Sequence, residues 1–345
     1  MEKELQLLQT IAPDIMDVVQ ERFTILRQIH WMAPVGRRTL AERLHMSERA
    51  LRTETDLLRQ LNLIDSSKSG MTLTKQGVDL VRELEDVMSQ LSGMKKMEKE
   101  LATLLNIEKV IIVAGDSDVD AKVFEKFGQV VTDSLKMLLP DRDNIIAVMG
   151  GTTMAAVANQ MTPFSEHVQN NIFVPARGGI GEAVDIQANS VSEMMANRTG
   201  GTSRPLYVPE RVSQETYNSL LQEPFVHQVL DLIKEATCVI HSIGRAMHMA
   251  KRRGMSAQEL EMLKEKHAVS EAFGYFFNEE GEIVYKIPRI GLQLKELEEV
   301  PYVLAVTGGS RKAEAITSYM THAPHQTWLI TDEGAANQIL KGVTL

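Results

Sequence analysis

The chain has 345 residues, 43% of them hydrophobic and 24% charged, and a net charge of −9 at pH 7. That composition fits a globular protein of about two domains, and its acidity excludes a protein that coats nucleic acid with its whole surface. No apolar run approaches the roughly 20 residues of a membrane helix. The start MEKELQLLQT has no leader pattern. A lone Cys238 excludes an internal disulfide and a cysteine-based zinc site. A cytoplasmic protein with no membrane contact is expected.

Basic charge gathers near the start. Between Arg22 and Lys75 ten Lys or Arg meet five Asp or Glu, a net +5, which leaves −14 for the remainder. Such asymmetry points to a phosphate-bearing partner for the first part. Val18, Val19, Phe23, Leu26 and Ile29 recur at helical spacing, and Thr39–Leu44 predicts a short second helix. Ser47 is a good N-cap for a third helix, with Ala50, Leu51, Leu57, Leu58 and Leu61 on one face. Leu63–Asp65 and Met71–Leu73 flank the polar tip Ser66–Gly70 and predict a β-hairpin. A further helix runs from near Thr74 through Leu80, Leu84 and Val87.

Residues 1–90 thus read as a winged helix-turn-helix domain for double-stranded DNA. Its third helix would enter the major groove with Ser47, Glu48, Arg49, Arg52 and Thr53, where arginine reads guanine and threonine touches a thymine methyl. Arg37, Arg38 and Lys68 would contact phosphates. The alternatives are a solvated basic helix pair and a scaffold module that docks another protein. Residues 91–107 read as a helical linker. Its stripe of Met94, Met97, Leu101, Leu104 and Leu105 suits either packing onto the next domain or a dimer contact.

From residue 108 short apolar runs alternate with helical segments. The runs are Val110–Ala114, Ile145–Met149, Ile172–Pro175, Leu206–Val208, Val239–Ile243, Val303–Val306 and Trp328–Ile330. Helical candidates between them include Val119–Leu139, Thr152–Gln160, Val191–Asn197 and Arg311–Thr321. This alternation predicts a mainly parallel sheet covered by helices, an α/β domain over 108–345 with its ligand beyond the carboxyl ends of the strands.

Four glycine or cationic turns could hold an anion. Gly150-Gly151-Thr152-Thr153 follows an apolar run and opens a helix, so free N–H groups and two hydroxyls face one point. Gly308-Gly309-Ser310-Arg311-Lys312 repeats the pattern, and an anion there would remove the conflict between Lys312 and the helix dipole. Arg177-Gly178-Gly179 and Lys251-Arg252-Arg253-Gly254 add arginines, the natural phosphate clamps. Together they suit a ligand with more than one phosphate. Gln187 and Glu271 could meet sugar hydroxyls. Neither a Walker A nor a dinucleotide motif is present, the histidines lack metal-ligand spacing, and no metal or cofactor is expected.

The stretches IAVMGGTTM (146–154), PARGGIGE (175–182), QAN (187–189), VTGGSRKAEAI (306–316) and PVGRRTL (34–40) closely resemble the SorC/DeoR-type sugar-binding transcriptional regulators. The resemblance implies a non-enzymatic repressor of a glycolytic operon around glyceraldehyde-3-phosphate dehydrogenase, induced by fructose 1,6-bisphosphate and working as a homo-oligomer, a dimer or tetramer. It implies a Rossmann-like effector domain akin to sugar-phosphate isomerases and deaminases. In it Gly150, Gly151, Thr152 and Thr153 would cradle one phosphate and Arg252, or Arg253, would approach the other. Arg177 and Lys312 would supply charge, and Gln187 and Glu271 would meet hydroxyls. An isomerase- or deaminase-type enzyme with an accessory domain is the alternative, with Glu271 its one candidate base.

Overall fold

The computed structural model describes residues 11–342, apart from 45, 68, 92, 165–169, 179–182 and 210–212. The chain divides into two compact units, Met1–Lys96 and Met97–Leu345. In the first, helices α1 (Pro13–Met32), α2 (Arg37–Arg43) and α3 (Glu48–Gln60) precede the hairpin β1 (Ile64–Ser67) and β2 (Gly70–Leu73) and helix α4 (Lys75–Leu91). The hairpin pairs Ile64 with Leu73 through Ser67 with Gly70. Lys68, placed at its tip by the sequence, lies outside the described residues.

Two turns apart on α3, Leu51 and Leu58 are fully buried against Phe23, Leu26, Ile29, Leu40 and Met71. Removing each from water stabilises this unit by about 2 kcal/mol. The buried face differs in part from the predicted one. Thr55 is buried, with its hydroxyl satisfied by the Arg52 carbonyl at 3.1 Å, whereas Ala50 is exposed. Leu61, the C-cap residue, is half exposed because the helix ends before it.

Helix α5 (Met94–Leu104) carries the boundary between the units. From Met97 onward the expected linker is part of the second unit: Leu101 is fully buried, and the buried Glu98 carboxylate accepts the Ile112 N–H at 3.0 Å.

The second unit continues with β3 (Lys109–Val113), α6 (Val123–Leu138), β4 (Asn144–Val148), α7 (Thr152–Gln160), β5 (Asn171–Pro175), α8 (Ala188–Thr199) and β6 (Thr202–Ser203). Then come α9 (Gln214–Leu220), α10 (Pro224–Lys234), β7 (Cys238–His241), β8 (Gly244–Arg245), α11 (Ala246–Arg252), α12 (Ala257–Glu265), β9 (Ala268–Ala272), β10 (Tyr275–Asn278) and β11 (Ile283–Lys286). The last elements are β12 (Tyr302–Val306), α13 (Ala313–Met320), β13 (Thr327–Asp332) and α14 (Glu333–Leu340).

Seven strands form a parallel sheet in the order β3-β13-β12-β7-β4-β5-β6. Helices cover both faces, which is why its strands are near-continuous apolar runs: Ile146, Val148, Phe173, Cys238, Ile240, Leu304 and Val306 are buried in the core on one face, and Ala147, Val239, Val303 and Ala305 are buried on the other. Strands β8 to β11 form a separate antiparallel sheet that the sequence did not reveal. Leu206–Val208 is no strand. Its buried Leu206 is pinned at both N–H and C=O by the side chain of Asn189, at 2.9 and 3.1 Å, and the edge strand is Thr202–Ser203 instead. Helix α6 starts at Val123 rather than Val119, because residues 115–122 form a loop held by N–H bonds from Val119 and Asp120 to the Asp116 carbonyl.

Candidate functional site

The strand order reverses between β4 and β7. From β4 the chain builds outward to β5 and β6, and from β7 it builds the other way to β12 and β13. A crevice opens beyond the carboxyl ends of strands at such a point. Here it is a cleft of about 140 Å³ lined by the turn after β4 (Met149–Thr153), the segment after β7 (Ser242–Arg245) and Lys312 after β12.

Gly150 shows why the first turn needs its glycines. A Cβ there would stand 2.5 Å from the Ile186 carbonyl oxygen and 2.7 Å from the Ala188 nitrogen, so only glycine lets the 186–188 backbone pass behind the turn. Gly151 is the N-cap of α7, and no side chain among the described residues caps that helix. Its first N–H groups therefore face the cleft with Thr152 exposed and Thr153 buried beside them. Lys312 donates from Nζ to Thr153 Oγ1 at 3.5 Å and Thr307 Oγ1 at 3.4 Å, and so bridges the ends of β4 and β12.

Five cationic side chains line the cleft, Arg177, Arg245, Arg252, Arg253 and Lys312, against two carboxylates, Asp118 and Glu271. A local net +3 in a chain of net −9 is a field that draws anions. Lys312 is held down at about 8, first by burial and then by Arg245 and Arg252, against the opposing pull of Asp118 and Asp332. His248 is lowered by burial and by the positive charge of Arg245, Arg252 and Lys312.

Burial would raise the Glu271 carboxyl, but Arg253, Arg289 and Arg177 together hold it at about 2. Glu271 and Arg253 are both almost fully buried and pair at 2.8 Å, and the same carboxylate oxygen accepts the Gly274 N–H at 2.7 Å. Glu271 is thus fixed in the cleft wall as an ion-paired carboxylate.

The structure brings Gly150, Gly151, Thr152, Thr153, Arg177, Arg252, Glu271 and Lys312 to this one cleft. Gln187 follows directly on the Ile186 carbonyl that packs behind Gly150, so its backbone abuts the first turn of the cleft. The four turns are also not alike. Arg252 and Arg253 sit at the C-terminal end of α11 rather than in a turn after a strand, and the Gly308–Arg311 turn is already filled by carboxylates of the protein itself. Asp118, Ser242, Arg245, His248, Met249 and Phe273 also line the cleft. Arg245 had a usable signal, since Ile243-Gly244-Arg245 follows an apolar strand and opens α11.

In the first unit, Glu48, Arg49, Arg52 and Thr53 lie exposed on the first two turns of α3, with Arg52 3.8 Å from Asp56 and the Thr53 hydroxyl bonded to the Arg49 carbonyl. Arg37 is half-buried, and Arg38 is exposed and pairs with Glu42. Ser47 caps α3, its Oγ accepting the Ala50 N–H at 3.1 Å. Ser47→Ala should lower the stability of this unit by about 1 kcal/mol in urea unfolding; no loss would mean that water serves the helix end equally well.

Comparison with known proteins follows the same division. A model of the sugar-binding domain family matches residues 89–341, and one of the CggR N-terminal DNA binding domain matches residues 18–88. The Central glycolytic genes regulator of Bacillus subtilis (strain 168) is 44% identical over 341 residues, 99% of each chain. The chain belongs to the SorC family of sugar-binding transcriptional regulators. A crystal structure of a SorC family regulator from Enterococcus faecalis is 62% identical, with a TM-score of 0.69 over 71% of this chain and 99% of that one. The full-length sorbitol operon regulator of Klebsiella pneumoniae, 13% identical, shares the fold with a TM-score of 0.61 over 93% of this chain and 99% of its own. This SorC-family chain therefore carries a DNA-binding domain followed by a sugar-binding domain. Among its described residues no helix is long and apolar enough to cross a membrane.

Proposed function

We propose that the protein represses a glycolytic operon around glyceraldehyde-3-phosphate dehydrogenase, and that fructose 1,6-bisphosphate in the cleft relieves the repression. The observation that carries the ligand class is the uncapped N-terminus of α7 facing five cationic side chains. A bisphosphate brings about four negative charges near neutral pH and needs two donor-rich ends. One phosphate would rest on Gly151, Thr152 and Thr153 with Lys312, and the other between Arg245 and Arg252. Arg177 supplies charge from the wall built by Glu271 and Arg253. The likeness to the Central glycolytic genes regulators supports control of glycolytic genes.

Ser47, Glu48, Arg49, Arg52 and Thr53 on α3, with Arg37, Arg38 and Lys68, are proposed to meet the operator. The protein would act as a homo-oligomer, a dimer or tetramer, in the cytoplasm. The bisphosphate must bind the DNA-competent and DNA-incompetent states with different affinity, since otherwise it could not shift their balance.

An isomerase- or deaminase-type activity is the weaker reading. Glu271, its candidate base, is ion-paired to Arg253 and held near 2, far below the range of an efficient proton acceptor at neutral pH.

Thermal unfolding of the full chain with a panel of sugar phosphates tests the ligand class. A ligand at 100 times its Kd adds about 2.7 kcal/mol of stability by mass action. The largest shift should come with fructose 1,6-bisphosphate and shrink in Thr152→Ala. No shift with any sugar phosphate would overturn the proposal.

A further inference from the structure

The second glycine turn looks in sequence like a twin of the first, yet the fold fills it from within. Gly309 N–H donates to Asp332 Oδ2 at 2.7 Å, Ser310 N–H to Asp116 Oδ1 at 3.2 Å and Arg311 N–H to Asp118 Oδ2 at 2.8 Å. The fit is close enough that a Cβ on Gly309 would meet Asp118 Oδ2 at 2.7 Å.

The three carboxylates differ in what else they hold. Asp332 is fully buried, accepts the Ser117 N–H at 2.8 Å and caps α14 through the Ala335 N–H. Asp116 ties down its own loop by accepting the Asp118 N–H at 2.9 Å. Asp118 is exposed, and it alone of the three lines the cleft, where its charge acts on Lys312.

We propose that Asp118 is a specificity-determining residue of the cleft, a built-in anion that plugs the Gly309–Arg311 turn, keeps a ligand's phosphate off it, and leaves that wall to a hydroxyl-bearing part of the ligand. The inference rests on reading the cleft as a sugar-phosphate site. Two chemical facts support it. A carboxylate accepts hydroxyl hydrogens well, and it repels a second anion held beside it. The fold thereby makes two similar turns unequal: the α7 turn presents open donors, and the β12 turn presents an acceptor. Lys312, which reaches Thr153 Oγ1 from one side and is drawn by Asp118 on the other, stands between them.

The test is calorimetric titration of the full chain with inorganic phosphate and, separately, with fructose 1,6-bisphosphate. Two variants are compared with wild type: Asp118→Asn keeps the acceptor and removes the charge, and Asp118→Ala also frees the Arg311 N–H. Inorganic phosphate should bind Asp118→Ala at least about tenfold more tightly than wild type, and Asp118→Asn more tightly by a smaller factor. The preference for the bisphosphate over phosphate should narrow in both. Unchanged or weaker phosphate binding in the folded variants would overturn the proposal, and if Asp118→Ala does not fold, Asp118→Asn decides it. A wild type that binds no bisphosphate, beside a variant that gains phosphate binding, would sink the sugar-phosphate reading and leave Asp118 as the plug.

Discussion

Replacing Arg253 with methionine is expected to destabilise the protein by about 3 kcal/mol at neutral pH. The Glu271–Arg253 pair is almost wholly removed from water, so its removal from one side leaves an uncompensated carboxylate in the wall of the cleft. The figure lies at the lower end of the range for such pairs, because Arg289 and Arg177 still act on Glu271. The carboxyl stands at about 2 in the native protein, below its ordinary 4.5. Its contribution is therefore fully present above pH 4.5 and is lost as pH falls toward 2. In Arg253→Met the carboxyl moves up, so the gap between variant and wild type should narrow in acid. Adding Glu271→Gln to Arg253→Met should restore part of the loss. Urea unfolding at pH 7 and pH 4 measures all three, and a variant as stable as wild type at pH 7 would show that the pair contributes nothing.

Much of this architecture is written in local pattern. The parallel strands are legible because burial on both faces demands continuous apolar runs, as in Ile145–Val148 and Val303–Val306. The α7 turn is legible because close backbone approach demands Gly150. The Ser47 cap is legible because a serine before a helical period has one common use.

What escaped depends on partners distant in sequence. Strand β9 carries Ser270 and Glu271 into the interior, and nothing near them announces that Ser318 lies 3.0 Å from Ser270 or that Arg253 neutralises Glu271. The Gly308–Arg311 turn is closed by Asp116 and Asp118, more than 190 residues earlier, so its local likeness to the first turn is misleading. Leu206–Val208 has the composition of a strand, but Asn189 takes its backbone bonds.

Lys312→Met should lower affinity for fructose 1,6-bisphosphate by about 100-fold, the effect of losing one charge-assisted bond to a phosphate. It should not cost stability. Burial and the neighbouring arginines hold the ammonium at about 8, below its ordinary 10.5, so the charged lysine is a burden on the empty protein below pH 8. That burden fades as pH rises from 8 to 10.5, and methionine removes it throughout. A bound phosphate reverses the balance by stabilising the ammonium. Binding should therefore take up protons near pH 8, and affinity should fall as pH rises past that value. Below about pH 6 the phosphates lose charge, which leaves a plateau of tightest binding between the two. Calorimetry in buffers of different ionisation enthalpy checks this. An affinity independent of pH from 7 to 9.5 would remove Lys312 from the ligand's surroundings.

The most direct test of the whole account is fluorescence anisotropy of the full chain on promoter DNA upstream of a glyceraldehyde-3-phosphate dehydrogenase operon, titrated with fructose 1,6-bisphosphate. Wild type should bind that DNA with a steep salt dependence and release it as the bisphosphate is added. Lys312→Met should bind the DNA equally well and require about 100-fold more bisphosphate for release. DNA binding that no sugar phosphate alters, or a Lys312→Met variant released at the same concentration as wild type, would contradict the assignment of this cleft as the effector site.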